Sequence, residues 1–281
     1  MKKIFSYTVI VILFTGVIAA FNLSCKNGDN NDDNPDPTAI PQTNNPDPEI
    51  LSHSIINAYP HDTSSFTEGL EFYKGELYEG TGNYGESRLM RVDVITGKPL
   101  KQIALDKKYF GEGITILNDT IYQLTYKENT VFAYNLKDFK KIKEYSFTTD
   151  SKEGWGMTND GKNLIATDGG NNLYFFQSST FTLLRKLGVT EGSNPVFNLN
   201  EVEYIDGYIY ANQWQYPYIL KIDPATGKVV AKYDLNDMWN RVKTIKPNVD
   251  VPNGIAYNEA TKKLYVTGKL WPELYEIQLG Q

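Results

Sequence analysis

The sequence predicts an all-β fold, a five-bladed β-propeller in which a strand from the N-terminal side completes the last blade. The first observation is a short stretch, Phe-Gly-Glu-Gly-Ile-Thr at residues 110–115, that recurs in related forms along the chain. Alignment on Gly69, Gly113, Gly156, Val202 and Gly254 gives steps of 44, 43, 46 and 52 residues. A repeat of this length, built from short strands, is typical of propeller blades.

The second observation is the order of strands and turns inside each repeat. Shortly after each anchor comes a short apolar strand, at residues 77–80, 121–124, 164–167, 209–212 and 264–267. A hairpin follows, as where residues 89–93 and 101–105 flank the turn at residues 96–98. Alternating β-branched and aromatic residues between glycine turns indicate strands, and four strands per repeat make one blade.

The two ends of the repeat region predict how the ring closes. The last repeat stops at residues 274–279 without an outermost strand, whereas residues 54–59 precede the first repeat and resemble an outermost strand without a blade. We therefore expect residues 54–59 to pair with the last blade, because this leaves no unpaired strand edge. The expected propeller domain spans residues 51–281.

The first 25 residues have the pattern of an export signal. Lys2 and Lys3 precede an apolar run over residues 4–21, and Leu23-Ser24-Cys25 follows. This pattern resembles a bacterial lipoprotein signal, residues 1–25, in which Cys25 becomes the lipidated first residue of the mature protein. A cleaved signal peptide with an incidental cysteine and an uncleaved anchor are the alternatives.

A polar segment rich in Asn, Asp and Pro occupies residues 26–50. It has too few apolar side chains to offset the entropy of ordering it, so we expect a disordered tether. The tether would hold the propeller at a bacterial envelope, on the periplasmic face or the cell surface, with the lipid anchor as the only membrane contact. We expect a monomer.

Composition and charge exclude several classes of function. The net charge is −6 and there is no basic run, so nucleic acid is not an expected partner. The single cysteine is assigned to the lipid, which leaves no disulfide and no cysteine chemistry. His53 and His61 precede the first repeat and have no histidine partner there, which argues against a histidine-based zinc site or catalytic triad.

One connection, from Asp234 to Pro252, is longer than most and carries apolar residues at near-helical spacing. We expect a short helix in it, with Asp234 or Asn236 as the N-cap residue. Such a helix either forms a wall of a binding site or only covers one end of the barrel.

The recurring stretches lead into the innermost strands, so they meet at one mouth of the central channel. The residues that they place there are acidic, amide or aromatic: Phe66, Glu68, Phe110, Glu112, Glu153, Trp155, Asn200, Glu201, Glu203 and Asn253. The residues that follow the second strands are Tyr126, Asp168, Trp214, Lys269 and Trp271. An acidic pocket with aromatic walls suits a small organic ligand that carries an amine.

Six phrases in order carry a family resemblance. They are Phe-Thr-Glu-Gly-Leu (66–70), Phe-Gly-Glu-Gly-Ile-Thr (110–115), Glu-Gly-Trp-Gly-Met-Thr (153–158), Leu-Asn-Glu-Val-Glu-Tyr (199–204), Ala-Asn-Gln-Trp (211–214) and Thr-Gly-Lys-Leu-Trp-Pro (267–272). Over residues 55–279 the chain resembles the plant-type glutaminyl-peptide cyclotransferases. The resemblance implies a five-bladed propeller, unrelated to the zinc-dependent animal-type enzyme. It also implies conversion of the N-terminal glutamine of peptides or proteins to pyroglutamate, with release of ammonia.

The resemblance extends to individual positions. The positions that match are Glu112 for the catalytic glutamate, Lys269 for a lysine at the site, Phe66, Phe110, Trp155 and Trp214 for the aromatic pocket, and Asn200 for a substrate-binding amide. Two positions of the substrate pocket depart from the pattern. Glu68 stands where plant members have glutamine, and Tyr126 stands where many members have tryptophan. These departures bear on the substrate range and the pH profile.

The implied reaction explains why a carboxyl group is needed. The α-amine of glutamine attacks its own side-chain carbonyl, so the protein must mainly fold the substrate and move protons. One carboxyl group with its pKa raised by aromatic surroundings, for which Glu112 is the candidate, can act as base and then as acid. Lys269 or Asn200 is the candidate to stabilise the developing oxyanion. The chemistry requires no cofactor, although the resemblance implies a structural metal ion, calcium or zinc, in the central channel of some members.

Two other functions fit the same residues. Propellers host many functions, so the domain is alternatively a non-enzymatic module that binds a peptide or a sugar. A calcium-dependent lactonase-type propeller also uses channel carboxylates and asparagines. At Glu201 and Glu203, a carboxyl group that only joins blades is the alternative to a catalytic one.

Overall fold

The computed structural model describes residues 47–280, which form a five-bladed β-propeller, as the repeat predicted. The export signal, Cys25 and most of the expected tether lie outside the described residues. Among residues 47–280, no helix is long and apolar enough to cross a membrane.

The elements are numbered in chain order. Two strands precede the first repeat, β1 (Glu49–Leu51) and β2 (His53–Pro60). The first blade comprises β3 (Thr67–Tyr73), β4 (Glu76–Thr81), β5 (Arg88–Val92) and β6 (Pro99–Ala104). The second comprises β7 (Gly111–Leu117), β8 (Thr120–Thr125), β9 (Thr130–Asn135) and β10 (Lys141–Ser146). The third comprises β11 (Met157–Asn159), β12 (Asn163–Ala166), β13 (Asn172–Gln177) and β14 (Leu183–Gly188).

The remaining elements begin with a hairpin of β15 (Thr190–Glu191) and β16 (Asn194–Pro195). The fourth blade comprises β17 (Leu199–Ile205), β18 (Tyr208–Gln213), β19 (Tyr218–Ile222) and β20 (Val229–Asp234). The helix α1 (Asn236–Ile245) leads to β21 (Pro252–Asn258), β22 (Lys263–Gly268) and β23 (Glu273–Leu279) of the last blade.

Burial depends on the position of each strand in its blade. All seven residues of β7, an innermost strand, are buried, because such a strand packs against neighbouring blades on both faces. Five of the six residues of β10, the outermost strand of the same blade, are exposed. The hydrophobic core is formed by side chains packed between adjacent blades. Leu124 of the second blade and Leu164 of the third, for example, belong to one cluster.

Ring closure occurs as predicted. The strand β2 pairs antiparallel with β23, with Ile55 opposite Ile277 and Tyr59 opposite Leu274. It is the outermost strand of the last blade, in the sheet order β2-β23-β22-β21. The expectation that an N-terminal strand completes this blade is confirmed.

Two residues of the expected tether belong to a strand. Residues 49 and 50, assigned to the tether, belong to β1, which pairs in parallel with β20. Leu51 packs against the cluster that contains Tyr233 and Ile277. Three ladder positions and one apolar side chain therefore fix a segment whose composition alone predicts disorder.

The predicted helix in the long connection is present, but its predicted cap is wrong. The N-cap residue of α1 is Leu235, which has no capping side chain. Asp234 lies one residue earlier, and its carboxylate accepts the backbone N–H of Asn236 at 2.8 Å. The helix buries Met238 and Val242, so it covers the core of the last two blades.

Candidate active site

The polar residues at the channel mouth lie at irregularities of the innermost strands. In β3 the register with β4 shifts between Thr67 and Gly69, so Glu68 is an extra residue that β4 does not match. Shifts of the same kind enclose Glu112 in β7, Asn200 in β17 and Asn253 in β21. A β-bulge re-aims the side chain of the extra residue, and this is how the sequence directs these side chains to the mouth.

The glycine that follows the glutamate in the recurring stretch is required for a different reason, the close approach of neighbouring strands. A Cβ atom on Gly69 would lie 2.4 Å from the backbone nitrogen of Ile114, and one on Gly113 would lie 2.5 Å from that of Met157. These distances leave no room for a side chain, because neighbouring innermost strands approach each other closely here. In each Glu-Gly pair, the glutamate is therefore the residue whose side chain the bulge directs to the mouth. The glycine is the residue that allows the innermost strands of neighbouring blades to approach closely.

Glu68, Glu112 and Lys269 form the charged centre of the mouth. The Nζ atom of Lys269 donates to both carboxylate oxygens of Glu68, each at 2.6 Å. Glu112, which is only 5% exposed, lies close enough for the negative charge of Glu68 to act on its carboxyl group. The Glu68 carboxylate therefore lies between an ammonium group and a second carboxyl group.

The environment of these groups determines where the proton resides. Burial, followed by the negative charge of Glu68, raises the pKa of Glu112 well above its usual range. Burial also raises the pKa of Glu68, but the charge and hydrogen bonds of Lys269 oppose that rise. Because Lys269 opposes the rise directly at Glu68, Glu112 is the carboxyl group of the pair that more readily holds a proton.

Aromatic rings surround the approach to this centre. The rings of Phe66 and Phe110 meet edge to face with centroids 6.2 Å apart, and the Tyr126 ring lies 5.6 Å from that of Phe110. Trp155 and Trp214 form a second edge-to-face pair at 5.7 Å. All five rings are partly buried. Partly exposed aromatic walls around buried charges suit a small ligand with an apolar body and polar ends.

Two asparagines bring unpaired acceptor atoms to the same strands. The buried Oδ1 atoms of Asn200 and Asn253 accept no hydrogen bond from any residue in the range 47–280. The Nδ2 atom of Asn253 donates to the carbonyl oxygen of Thr67 at 2.9 Å and to Glu68 at 3.2 Å, which fixes that side chain. A buried acceptor without a donor is costly, so these atoms suit the N–H groups of a ligand.

The structure brings the predicted site residues together in two connected groups. Glu68, Glu112, Lys269, Phe66, Phe110 and Tyr126 are linked by the contacts above. Trp155, Trp214 and Asn200 lie on the next two blades. The groups are joined where the backbone N–H of Gly113 donates to the carbonyl oxygen of Trp155 at 2.7 Å. The lipidation candidate, Cys25, lies outside the described residues.

Glu201 and Glu203, which the sequence also directed to the mouth, join blades instead. The carboxylate of Glu201 accepts the backbone N–H groups of Leu70 at 3.1 Å and Ile255 at 3.0 Å. Glu203 accepts the backbone N–H of Tyr257 at 3.1 Å. These bonds tie the fourth blade to the first and the last, as the alternative for these residues predicted.

Two aromatic residues differ from the sequence expectation. Trp271 is no pocket wall, because it is fully buried, packs against Tyr275 and donates its Nε1–H to the carbonyl oxygen of Asp250. Conversely, Tyr84 contacts Phe110 with ring centroids 5.4 Å apart. Tyr84 lies between β4 and β5, outside the recurring stretch, so no repeat signal marked it.

A structural metal ion in the channel was an implication of the family resemblance. Within residues 47–280, no group of three or more His, Cys, Asp or Glu side chains is placed to hold a metal ion. The channel carboxyl groups are bonded to the protein, as where Glu71 accepts the backbone N–H of Ile116 at 2.9 Å. The role of a metal ion therefore stays a prediction that chelation would test.

Comparison with known proteins gives three consistent matches. The family model of glutamine cyclotransferase matches residues 34–279. The chain is 39% identical, over 239 residues, to a glutaminyl-peptide cyclotransferase of Arabidopsis thaliana, covering 82% of this chain and 74% of the relative. The crystal structure of Myxococcus xanthus glutaminyl cyclase matches with a TM-score of 0.77 and 33% identity, over 83% of this chain and 98% of that one. Because the family match spans all five blades and the mouth that they form, this chain belongs to the glutamine cyclotransferase family.

Proposed function

We propose that this propeller converts the N-terminal glutamine of peptides or proteins to pyroglutamate with release of ammonia, and that Glu112 moves the protons. The observation that supports this best is the environment of Glu112. It is a buried carboxyl group whose pKa is raised by burial and by the charge of Glu68, which forms an ion pair with Lys269. The two named relatives support the reaction class.

Substrate binding follows from the lining of the mouth. The methylene groups of a glutamine side chain pack against the rings of Phe66, Phe110 and Trp155. The unpaired Oδ1 of Asn200 accepts an N–H of the substrate, either from the α-amine or from the side-chain amide. Holding both reacting groups of one residue in a cyclic pose supplies most of what an intramolecular reaction needs.

In the proposed reaction, Glu112 transfers one proton, in net terms, from the attacking α-amine nitrogen to the leaving amide nitrogen. The lone pair of the α-amine attacks the side-chain carbonyl carbon, a new C–N bond forms, and the carbonyl oxygen becomes an oxyanion. Glu112 donates its proton to the amide nitrogen and receives one from the attacking nitrogen. The old C–N bond then breaks, the carbonyl re-forms, and ammonia leaves with Glu112 in its starting state. A carboxyl group with a raised pKa suits both transfers near neutral pH.

Lys269 acts as the counter-ion of Glu68, a role that the sequence did not indicate. Two of its N–H groups bond to Glu68, so the ammonium group keeps Glu68 ionised, and ionised Glu68 holds the proton on Glu112. A lysine has a third donor, which remains for the oxyanion expected from the family resemblance.

The decisive experiment is incubation of the purified domain, residues 47–281, with glutaminyl-phenylalanine amide. We expect equimolar ammonia and a product lighter by the mass of ammonia. A non-enzymatic propeller would bind the peptide without ammonia release. A lactonase-type propeller would instead hydrolyse a lactone in a calcium-dependent manner. Either of these results would overturn the proposal.

We also propose that the enzyme is exported and anchored through lipid on Cys25, because the first 25 residues resemble a lipoprotein signal. In a bacterial host, the full chain should incorporate labelled fatty acid and sediment with membranes. The Cys25→Ala variant should do neither. Fatty-acid labelling of Cys25→Ala at the level of the full chain would contradict the assignment.

A further inference from the structure

Tyr84 is a large aromatic residue that is exposed and yet held at two points. Its side chain lies in the loop between β4 and β5 and is 53% exposed. The ring meets the Phe110 ring at a centroid distance of 5.4 Å and an interplanar angle of 74°. Its hydroxyl donates to the Glu128 carboxylate at 2.9 Å. A ring fixed at its side and its tip offers a pre-organised surface, which lowers the entropy cost of binding.

This ring extends an aromatic surface from the buried charges to the solvent. At the inner end, the Nζ of Lys269 lies 4.5 Å from the centroid of the Phe66 ring. Phe66 then contacts Phe110, and Phe110 contacts both Tyr84 and Tyr126. Only the inner part of this surface is needed to enclose a glutamine side chain. The steps of the proposed reaction assign no contact to the outer part, Tyr84 and Tyr126.

The connectivity of the substrate indicates what the outer part contacts. The α-amine that exchanges a proton with Glu112 is attached to the same carbon as the carbonyl group that leads to the second residue. The second residue must therefore leave the site close to Glu112. Phe110 lies two positions before Glu112, immediately before β7, so a substrate chain that leaves on this side would pass over the Phe110 ring toward Tyr84 and Tyr126.

We propose that Tyr84, together with Tyr126, forms a subsite for the side chain of the second residue of the substrate, and that it selects aromatic and large apolar side chains. This inference rests on the proposed cyclisation of N-terminal glutamine. Aromatic pairs gain a specific contact in addition to the area they bury, whereas glycine at the second position gains neither.

The test compares glutaminyl-phenylalanine amide with glutaminyl-glycine amide. We expect the wild-type protein to prefer the phenylalanine substrate in kcat/KM by roughly 3- to 10-fold, the ratio that one aromatic contact supplies. Tyr84→Ala should remove most of this preference by raising KM for the phenylalanine substrate more than for the glycine substrate. Tyr84→Phe keeps the ring and should keep most of the preference.

The matched control is Tyr208→Ala. Tyr208 is also exposed, at 37%, but it begins β18 at the end of the fourth blade remote from the mouth, so both substrates should be unaffected. Equal kcat/KM of the wild type for the two substrates, or a preference that survives in Tyr84→Ala, would overturn the subsite while the proposed function stands. Absence of turnover of both substrates by the wild type would overturn the proposed function and this inference with it.

Discussion

Two groups of buried glutamates, all on innermost strands of the blades, differ in what surrounds their carboxyl groups. At the mouth, Glu68 and Glu112 face each other. Farther along the channel, Glu71, Glu201 and Glu203 accept N–H groups of neighbouring blades. Burial is the first cause of a raised pKa in both groups. The perturbed pKa alone therefore does not distinguish a reacting group from a structural one.

The difference lies in the partners. A backbone N–H donates a hydrogen bond and takes no part in proton exchange, so a carboxyl group bonded to it holds two blades together. A neighbouring carboxyl group is common to both groups, since the charges of Glu71 and Glu201 also raise the pKa of Glu203. What distinguishes Glu112 is that its neighbour, Glu68, forms an ion pair with Lys269. We therefore expect the channel glutamates to stabilise the fold and the mouth glutamates to take part in proton transfer.

The largest effect is expected from Glu112→Gln. The amide keeps the volume of the side chain but cannot move protons, so turnover should fall by about 10²- to 10⁴-fold, the usual contribution of acid–base catalysis. Mass spectrometry of the pyroglutamate product measures the loss, and thermal unfolding checks that the fold persists. As the matched control, Glu201→Gln should retain turnover below its own unfolding temperature. A folded Glu112→Gln variant with wild-type turnover would remove the distinction between the two groups.

The next effect is on stability, at Glu201. Glu201→Ala leaves the N–H groups of Leu70 and Ile255 without their acceptor. Because each unsatisfied N–H costs about 1–3 kcal/mol, the free energy of unfolding should fall by about 2–6 kcal/mol. Urea unfolding measures this loss, with Glu112→Gln as the comparison. An unchanged urea midpoint would show that the cross-blade bonds are not needed.

A third effect concerns the pH dependence of stability. Burial raises the pKa of Glu71 to about 8, from 4.5 in a free side chain. Above pH 4.5 the unfolded chain loses this proton while the folded protein keeps it. The contribution is therefore complete below pH 4.5 and is lost as pH rises to about 8. The melting temperature should fall over this range, and less steeply for Glu71→Gln. Identical slopes for the variant and the wild type would contradict this.

The smallest effect is a shift of the pH–rate profile in Glu68→Gln. The charge of Glu68 is one cause of the raised pKa of Glu112, so its removal should lower that pKa. The limb of the kcat profile that reports Glu112 should then move to lower pH. A limb that stays in place, or moves to higher pH, would mean that Glu68 does not control the proton on Glu112.

The sequence predicted the architecture well because a propeller repeats and its strands can be counted. The strand missing from the last repeat and the surplus strand before the first led directly to the β2–β23 pairing. The contacts at the mouth were less predictable. Glu68 and Lys269 are 201 positions apart, and their ion pair joins a bulge in β3 of the first blade to the residue that follows β22 in the last blade, which no single repeat reveals. Tyr84 was missed because it lies in a loop that the repeats do not share.

The strands β1 and β2 also determine how the ring responds to a pulling force on the N-terminal side of the chain. A pull on the chain before Glu49 acts first on the three paired residues of β1, and β2 follows after only Ser52. The β2–β23 ladder, which holds the ring closed, has seven paired positions from His53 to Pro60 and bears the force only after β1 has detached. If the domain is fixed to a surface through its N-terminus, a pulling force should therefore detach β1 from β20 before it separates β2 from β23 and opens the ring.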